Sequence, residues 1–219
     1  MDMEAIVEPL RALEDADDWS DIDAVEATTR KVLDALTSDR SVIREILRDL
    51  PKRPELLALC EHYDILDKIV LWDDPTGFRV RLHIFLPGYF DRPHNHRWSY
   101  ASAILRGEYR HYLFGNVELH ETVRPGALDP VMVRAEQVGN TYALHHSMVH
   151  AVVAEPYTVS LIVRGPAVRD RFLVMDRRTG ESWWQYGAAQ ESVEDAAKKR
   201  MSVERFRELR GLLDEWGVF

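Results

Sequence analysis

At 219 residues, 46% of them hydrophobic and 10% aromatic, the chain carries enough apolar material for a sizeable core, which excludes a wholly disordered polypeptide. Its formal net charge of -9, much of it carried between Glu4 and Asp23, repels phosphate backbones and anionic lipid. Nucleic acid and membrane are therefore excluded as expected partners, and a small molecule is the default. Cys60 is the single cysteine, which excludes an intramolecular disulfide and a cysteine-rich zinc site. The opening segment is acidic and no apolar run approaches the roughly 18 residues of a membrane span, so a cytoplasmic protein is expected.

From Asp21 to about Leu50, Ile22, Val25, Val32, Leu33, Leu36, Ile43, Ile46 and Leu47 recur at three- and four-residue steps. That period predicts two helices, broken near Thr37 and Ser38 and stopped before Pro51. Pro54 is expected to open a further helix through about His62. After Leu66 short β-rich runs follow one another between turn signals at 73–77 and 87–88, continuing through the run from Thr158 to Arg164. Strands at this regular spacing predict a sandwich or barrel. After a turn at 178–180 come Trp183 and Trp184, and Ser192 to Trp216 reads as helix.

The densest chemistry lies between Gly88 and Gly107. On a strand, residues two apart share a face, so His94 and His96 are expected to present both imidazoles to one side, followed there by Trp98 and Tyr100. A second stretch supplies His145, His146 and His150 near the end of a later strand. Three neutral imidazoles hold iron, zinc, copper or nickel and leave open positions for water, oxygen or substrate.

The first stretch resembles the first cupin motif, G-x5-H-x-H-x3-E-x6-G, from Gly88 through His94 and His96 to Gly107. The second resembles a loose form of the second cupin motif, G-x5-P-x-G-x2-H-x3-N, from Gly139 to His150. The spacing agrees throughout, but Tyr100 stands in place of the glutamate, and His145, Ser147 and Ala154 in place of the proline, glycine and asparagine. The resemblance implies a mainly β fold, a cupin-type small β-barrel (double-stranded β-helix) with N-terminal helices and a C-terminal helix. The expected divisions are a helical extension packed on the barrel over 1–65, the barrel over 66–176, and an aromatic turn and helix over 177–219.

Loss of the glutamate implies a three-histidine site of the kind found in the thiol dioxygenase branch. Similarity to cysteine dioxygenase-like proteins covers roughly Leu66 to Pro166, including Glu155 and Pro156. That branch places Ser, His and Tyr on alternate positions of one strand; the matching residues here are Ser160, Ile162 and Arg164, so only the serine is retained.

The resemblance makes His94, His96 and His150 the expected metal ligands, with His146 as the alternative third ligand or as a residue that orients a ligand or the substrate. Fe(II) is the expected metal, with zinc, nickel and manganese open. Tyr100 is either a donor toward the reacting oxygen or barrel filling, and Trp98 either a substrate platform or a core aromatic. Arg164 and Arg97 are expected to fix a substrate carboxylate, Arg164 having a salt-bridged structural role as its alternative.

The leading functional expectation is a non-haem Fe(II) dioxygenase acting with O2 on a small carboxylated substrate, thiol or amino-acid-like. The alternatives are a redox-inert metal cupin with isomerase, lyase or hydrolase chemistry, and a non-catalytic ligand-binding barrel. A homodimer is expected from the resemblance, and Trp183, Trp184 and Tyr186 would close the barrel mouth or seal that dimer. His83, His111 and His120 read as satisfied barrel or surface histidines, and Arg79 and Arg81 face either solvent or the interior. No phosphate loop, dinucleotide fingerprint, nucleophile elbow or H-E-x-x-H helix is present, and Cys60 among leucines reads as structural.

Overall fold

A computed structural model describes residues 2–15, 17–90, 92–116, 123–187 and 190–219 of the chain. His120 lies outside the described residues. Helix α1 spans Met3–Val7 and is capped by the Asp2 carboxylate, which accepts from Ala5 N at 2.9 Å. Helix α2 spans Ile22–Ser38, with the Asp21 side chain accepting from the amides of Asp23 and Ala24 at its start. Val25, Val32, Leu33 and Leu36 form its buried stripe. Helix α3 spans Ser41–Asp49, in agreement with the break expected near Ser38.

The helix expected from Pro54 to about His62 is instead a single turn, α4, over Pro54–Leu57. The chain then enters strand β1, Glu61–Tyr63. Tertiary partners override local propensity here: His62 N donates to Lys199 O at 2.7 Å, and the Glu61 carboxylate pairs with Lys68 at 3.0 Å and Lys199 at 3.1 Å.

Strand β2 (Leu66–Asp73), β3 (Arg79–Phe85), β4 (Tyr100–Arg106), β5 (Glu108–Gly115), β6 (Met132–Gln137), β7 (Thr141–Leu144), β8 (Val149–Ala154), β9 (Val159–Arg164), β10 (Arg171–Met175) and β11 (Ser182–Tyr186) follow in order. They form a six-stranded sheet, β1-β2-β3-β9-β4-β7, a three-stranded sheet, β6-β5-β8, and the hairpin β10-β11, all antiparallel. Bridges from His94 to His150 and to Val174 stitch the smaller sheet to the hairpin. The mainly β architecture with helices at both ends is therefore present, its sheets not closing into a continuous barrel.

Strand alternation divides the large sheet into two unlike faces. Ile69, Val80, Leu82, Ala101, Ala103, Leu161 and Val163 form one face, buried under the N-terminal helices together with Phe206, Leu209 and Leu213 of the last helix. The opposite face carries Lys68, Arg81, His83, Ser160 and Arg164 toward the interior of the roll. Trp19, 1% exposed, packs so closely on Gly165 that a Cβ there would lie 2.3 Å from its ring.

The C-terminal segment forms two helices, α5 (Val193–Lys198) and α6 (Val203–Glu215), where one was expected. Ser192 and Ser202 each cap one of them, accepting from Asp195 N and Arg205 N at 3.0 Å. Asp67, fully buried on β2, ties α6 to the sheet by accepting from Arg205 Nη2 at 2.7 Å. Among the described residues no helix is long and apolar enough to cross a membrane.

Candidate metal centre and its cavity

His94 and His96 do not lie on a regular strand, as expected from their spacing, but in the connection between β3 and β4. Backbone hydrogen bonds give that connection the same effect. His94 N donates to His150 O at 3.0 Å and His150 N to His94 O at 2.9 Å, while His96 N donates to His146 O at 3.0 Å. His94 and His150 are thus cross-strand neighbours, and His96 lies two residues further along the same side. The three ring centroids are 4.7 to 4.8 Å apart, and one ring nitrogen from each lies within 4.8 Å of the others. His96 Nε2 and His150 Nε2 approach to 2.7 Å.

These three imidazoles form a group able to hold a metal ion, and the tautomers fit that role. His94 Nδ1 lies 2.8 Å from Arg92 O, an acceptor only, so Nδ1 carries the proton and Nε2 keeps its lone pair. Burial holds His96 and His150 well below the ordinary histidine range, so both stay neutral near pH 7 as ligation requires. Tyr100, at the position where the motif has a glutamate, is 4% exposed with its ring 5.0 Å from that of His96. Among the described residues no carboxylate joins the cluster.

His146 is not brought into this site. It lies in the turn between β7 and β8, its ring 4.1 Å from that of His145, and it does not line the cavity. The cluster holds His150, which motif spacing favours over His146, and leaves His146 outside it. In the same turn the Ser147 hydroxyl bonds His145 Nδ1 at 2.7 Å.

The histidines open on a cavity of about 460 Å³, lined also by Arg97, Trp98, Tyr100 and Arg164, all four anticipated from sequence. Trp98 stacks on His96 at 4.8 Å and is flanked by two cations, Arg81 Cζ at 4.9 Å and Arg164 Cζ at 5.7 Å from its ring. Arg164 is held by carbonyls and not by a carboxylate: its Nη1 donates to Gly77 O at 2.9 Å and Gly165 O at 2.8 Å. Burial, then the charges of Arg81 and Arg79, lowers it to about 8. The guanidinium of Arg97 rests against Gly187, where an added Cβ would lie 2.0 Å from Nη1.

Three cavity residues were not singled out by the sequence. Arg81 is 8% exposed, its Nε has no hydrogen-bond partner, and among the described residues no carboxylate lies within ion-pair distance of it. His83 Nε2 is likewise buried without a partner, and burial holds its ring neutral. Lys68 follows on β2, opposite His83. The available signal was parity: Arg79, Arg81 and His83 share a face of β3, and the alternation marked them without saying which side was inside. Trp183 and Tyr186 of β11 line the cavity from the hairpin.

No protein-family model and no curated protein matches the sequence. Among solved structures, the chain is similar to KdgF from Halomonas sp., at 18% identity and a TM-score of 0.38 over 49% of this chain and 85% of that one. An RmlC-like cupin from Shewanella frigidimarina matches at 17% identity and a TM-score of 0.39, over 51% and 86% respectively. L-Ribose isomerase from Cellulomonas parahominis matches at 15% identity and a TM-score of 0.40, over 48% and 62%.

Proposed function

We propose that this chain is a metal-dependent enzyme of the cupin type, a mononuclear non-haem iron dioxygenase acting on a small anionic substrate, carboxylated and thiol- or amino-acid-like. The observation that carries the reading is one cavity lined both by the clustered imidazoles of His94, His96 and His150 and by the guanidiniums of Arg81 and Arg164. Bound Fe(II) would supply one-electron chemistry toward O2, and His94, His96 and His150 would hold it. Because three neutral ligands leave the charge of the ion uncompensated, an anion is the favoured partner for it.

The chain's own residues would do the rest. Arg81, buried without a carboxylate and with Nε unsatisfied, is built to receive one, and its guanidinium would bind it through two parallel hydrogen bonds. Arg164, fixed by two backbone carbonyls, would add positive potential without moving. Trp98, stacked on His96 and in contact with both guanidiniums, would form the wall between the cations and the imidazoles. Tyr100, whose ring lies 5.0 Å from that of His96, would donate its hydroxyl proton toward the substrate. The substitution of Tyr100 for the motif glutamate supports likeness to the three-histidine branch.

The test is elemental analysis of untagged protein purified without chelators, alongside His150→Ala and His146→Ala. Near one iron per chain, lost in His150→Ala and kept in His146→Ala, together with oxygen uptake on a panel of small carboxylated thiols and amino acids, is the expected result. Stoichiometric zinc or nickel would replace the oxygenase reading with Lewis-acid chemistry. Absence of metal even after anaerobic ferrous loading would overturn both.

A further inference from the structure

Behind His150 lies a pair of buried residues that the cavity does not use. His111, on the central strand β5, is 1% exposed, and Glu136, on the edge strand β6, is fully buried. His111 Nε2 lies 2.8 Å from His150 Nδ1, and His111 Nδ1 lies 3.4 Å from Glu136 Oε1. Glu136 is itself held by donors, with Arg134 Nε 3.2 Å from Oε1 and Asn140 Nδ2 3.4 Å from Oε2.

We infer that His111 and Glu136 are positioning residues that fix the tautomer and ring orientation of His150, so that its Nε2 faces His94 and His96 with a free lone pair. The argument is one of proton count. Two imidazole nitrogens 2.8 Å apart share a single proton, which belongs either to His150 Nδ1 or to His111 Nε2. If His111 kept it, His111 Nδ1 would turn a bare lone pair on a carboxylate oxygen, a repulsive contact in a dry interior. Glu136 can only accept, so it draws the His111 proton to Nδ1. His111 Nε2 must then accept from His150 Nδ1–H, and His150 Nε2 is left bare. Glu136 thus decides, from two residues away, which nitrogen of His150 is available.

The order of donors follows from strand register. His150 pairs with Leu113, two residues from His111 on the same face of β5, and Glu136 pairs with Tyr109, two residues to the other side. The three side chains therefore cross the small sheet diagonally. Partners of this kind are worth roughly 10- to 100-fold in metal affinity.

This inference rests on the three-histidine metal reading above, and the experiment separates the two. Long-range 15N–1H NMR of metal-free, histidine-labelled protein reports which ring nitrogen carries each proton. His150 and His111 are both expected to be protonated at Nδ1. In Glu136→Gln, whose amide can donate to His111 Nδ1, the His111 proton should move to Nε2 and affinity for added Zn2+ should fall roughly 10- to 100-fold. Wild-type His150 protonated at Nε2, or a folded Glu136→Gln with unchanged tautomers and unchanged Zn2+ affinity, would overturn the inference. If Glu136→Gln fails to fold, the wild-type tautomers alone decide. Wild-type protein with the expected tautomers that binds neither Zn2+ nor Fe2+ would support the relay and overturn the metal reading.

Discussion

Replacing Arg81 by methionine should make the substrate-free protein more stable while removing its capacity to bind an anion. Burial lowers the Arg81 guanidinium from its ordinary range to about 10, with no bonded carboxylate to offset it. That difference corresponds to about 3 kcal/mol against the charged form in the native state. Methionine fills the space of the stem, and loss of the contact with Trp98 returns about 1 kcal/mol, leaving a net gain of about 2 kcal/mol. The sign with pH follows from a native value below the unfolded one. Below about pH 10 the group is charged in both states and the penalty is full; it fades only above about pH 10, where the native state sheds its proton before the unfolded chain does. Urea unfolding of metal-free wild type and Arg81→Met at pH 6 and pH 9 should therefore show the same increment at both, with thermal midpoints raised by roughly 4–8 °C. A variant no more stable than wild type would refute the reasoning and make Arg81 a structural cation.

Gly165→Ala should cost about 2–3 kcal/mol in chemical denaturation, since the new methyl group meets the ring of fully buried Trp19; an unchanged midpoint would show that the helix yields freely. Asp67→Ala should lower stability by about 3 kcal/mol and speed proteolysis within 203–219, because it strips Arg205 and His62 of a buried partner at 2.7 and 2.6 Å. Burial pushes the Cys60 thiol up to about 11, so maleimide labelling at pH 8 should be negligible in native protein and complete in urea. Because only the unfolded chain ionises there between its ordinary value of 9 and 11, native stability should fall across that interval.

Spacing made the histidine cluster legible. His94 and His96 at a two-residue step, with His150 in the second motif, named the three imidazoles that converge, although the first two owe their common side to hydrogen bonds with His150 and His146 rather than to a strand. Strand alternation on β9 put Ser160, Ile162 and Arg164 on one face, and all three line the cavity. Arg81 and His83 were ambiguous because this sheet reverses the usual sense of amphipathicity: its apolar face meets the helices and its polar face meets the cavity. His111 and Glu136 left no local signal, since their roles come from cross-strand register between segments 25 residues apart. The over-long helix after Pro54 failed where Glu61 finds Lys68 on the next strand and Lys199 far along the chain, whereas the split at Ser202 was readable as a second capping serine.

The contact between Trp19 and Gly165 gives the N-terminal helices a stake in recognition. Gly165 follows Arg164 directly, and its carbonyl is one of the two that hold that guanidinium. A change in how the helical layer seats its tryptophan is thus transmitted through one glycine to the Arg164 guanidinium, from behind and without touching a ligand. Selectivity among anions of similar size should then drift with substitutions around Trp19, so residues on the dry side of the sheet become handles for tuning what the wet side accepts.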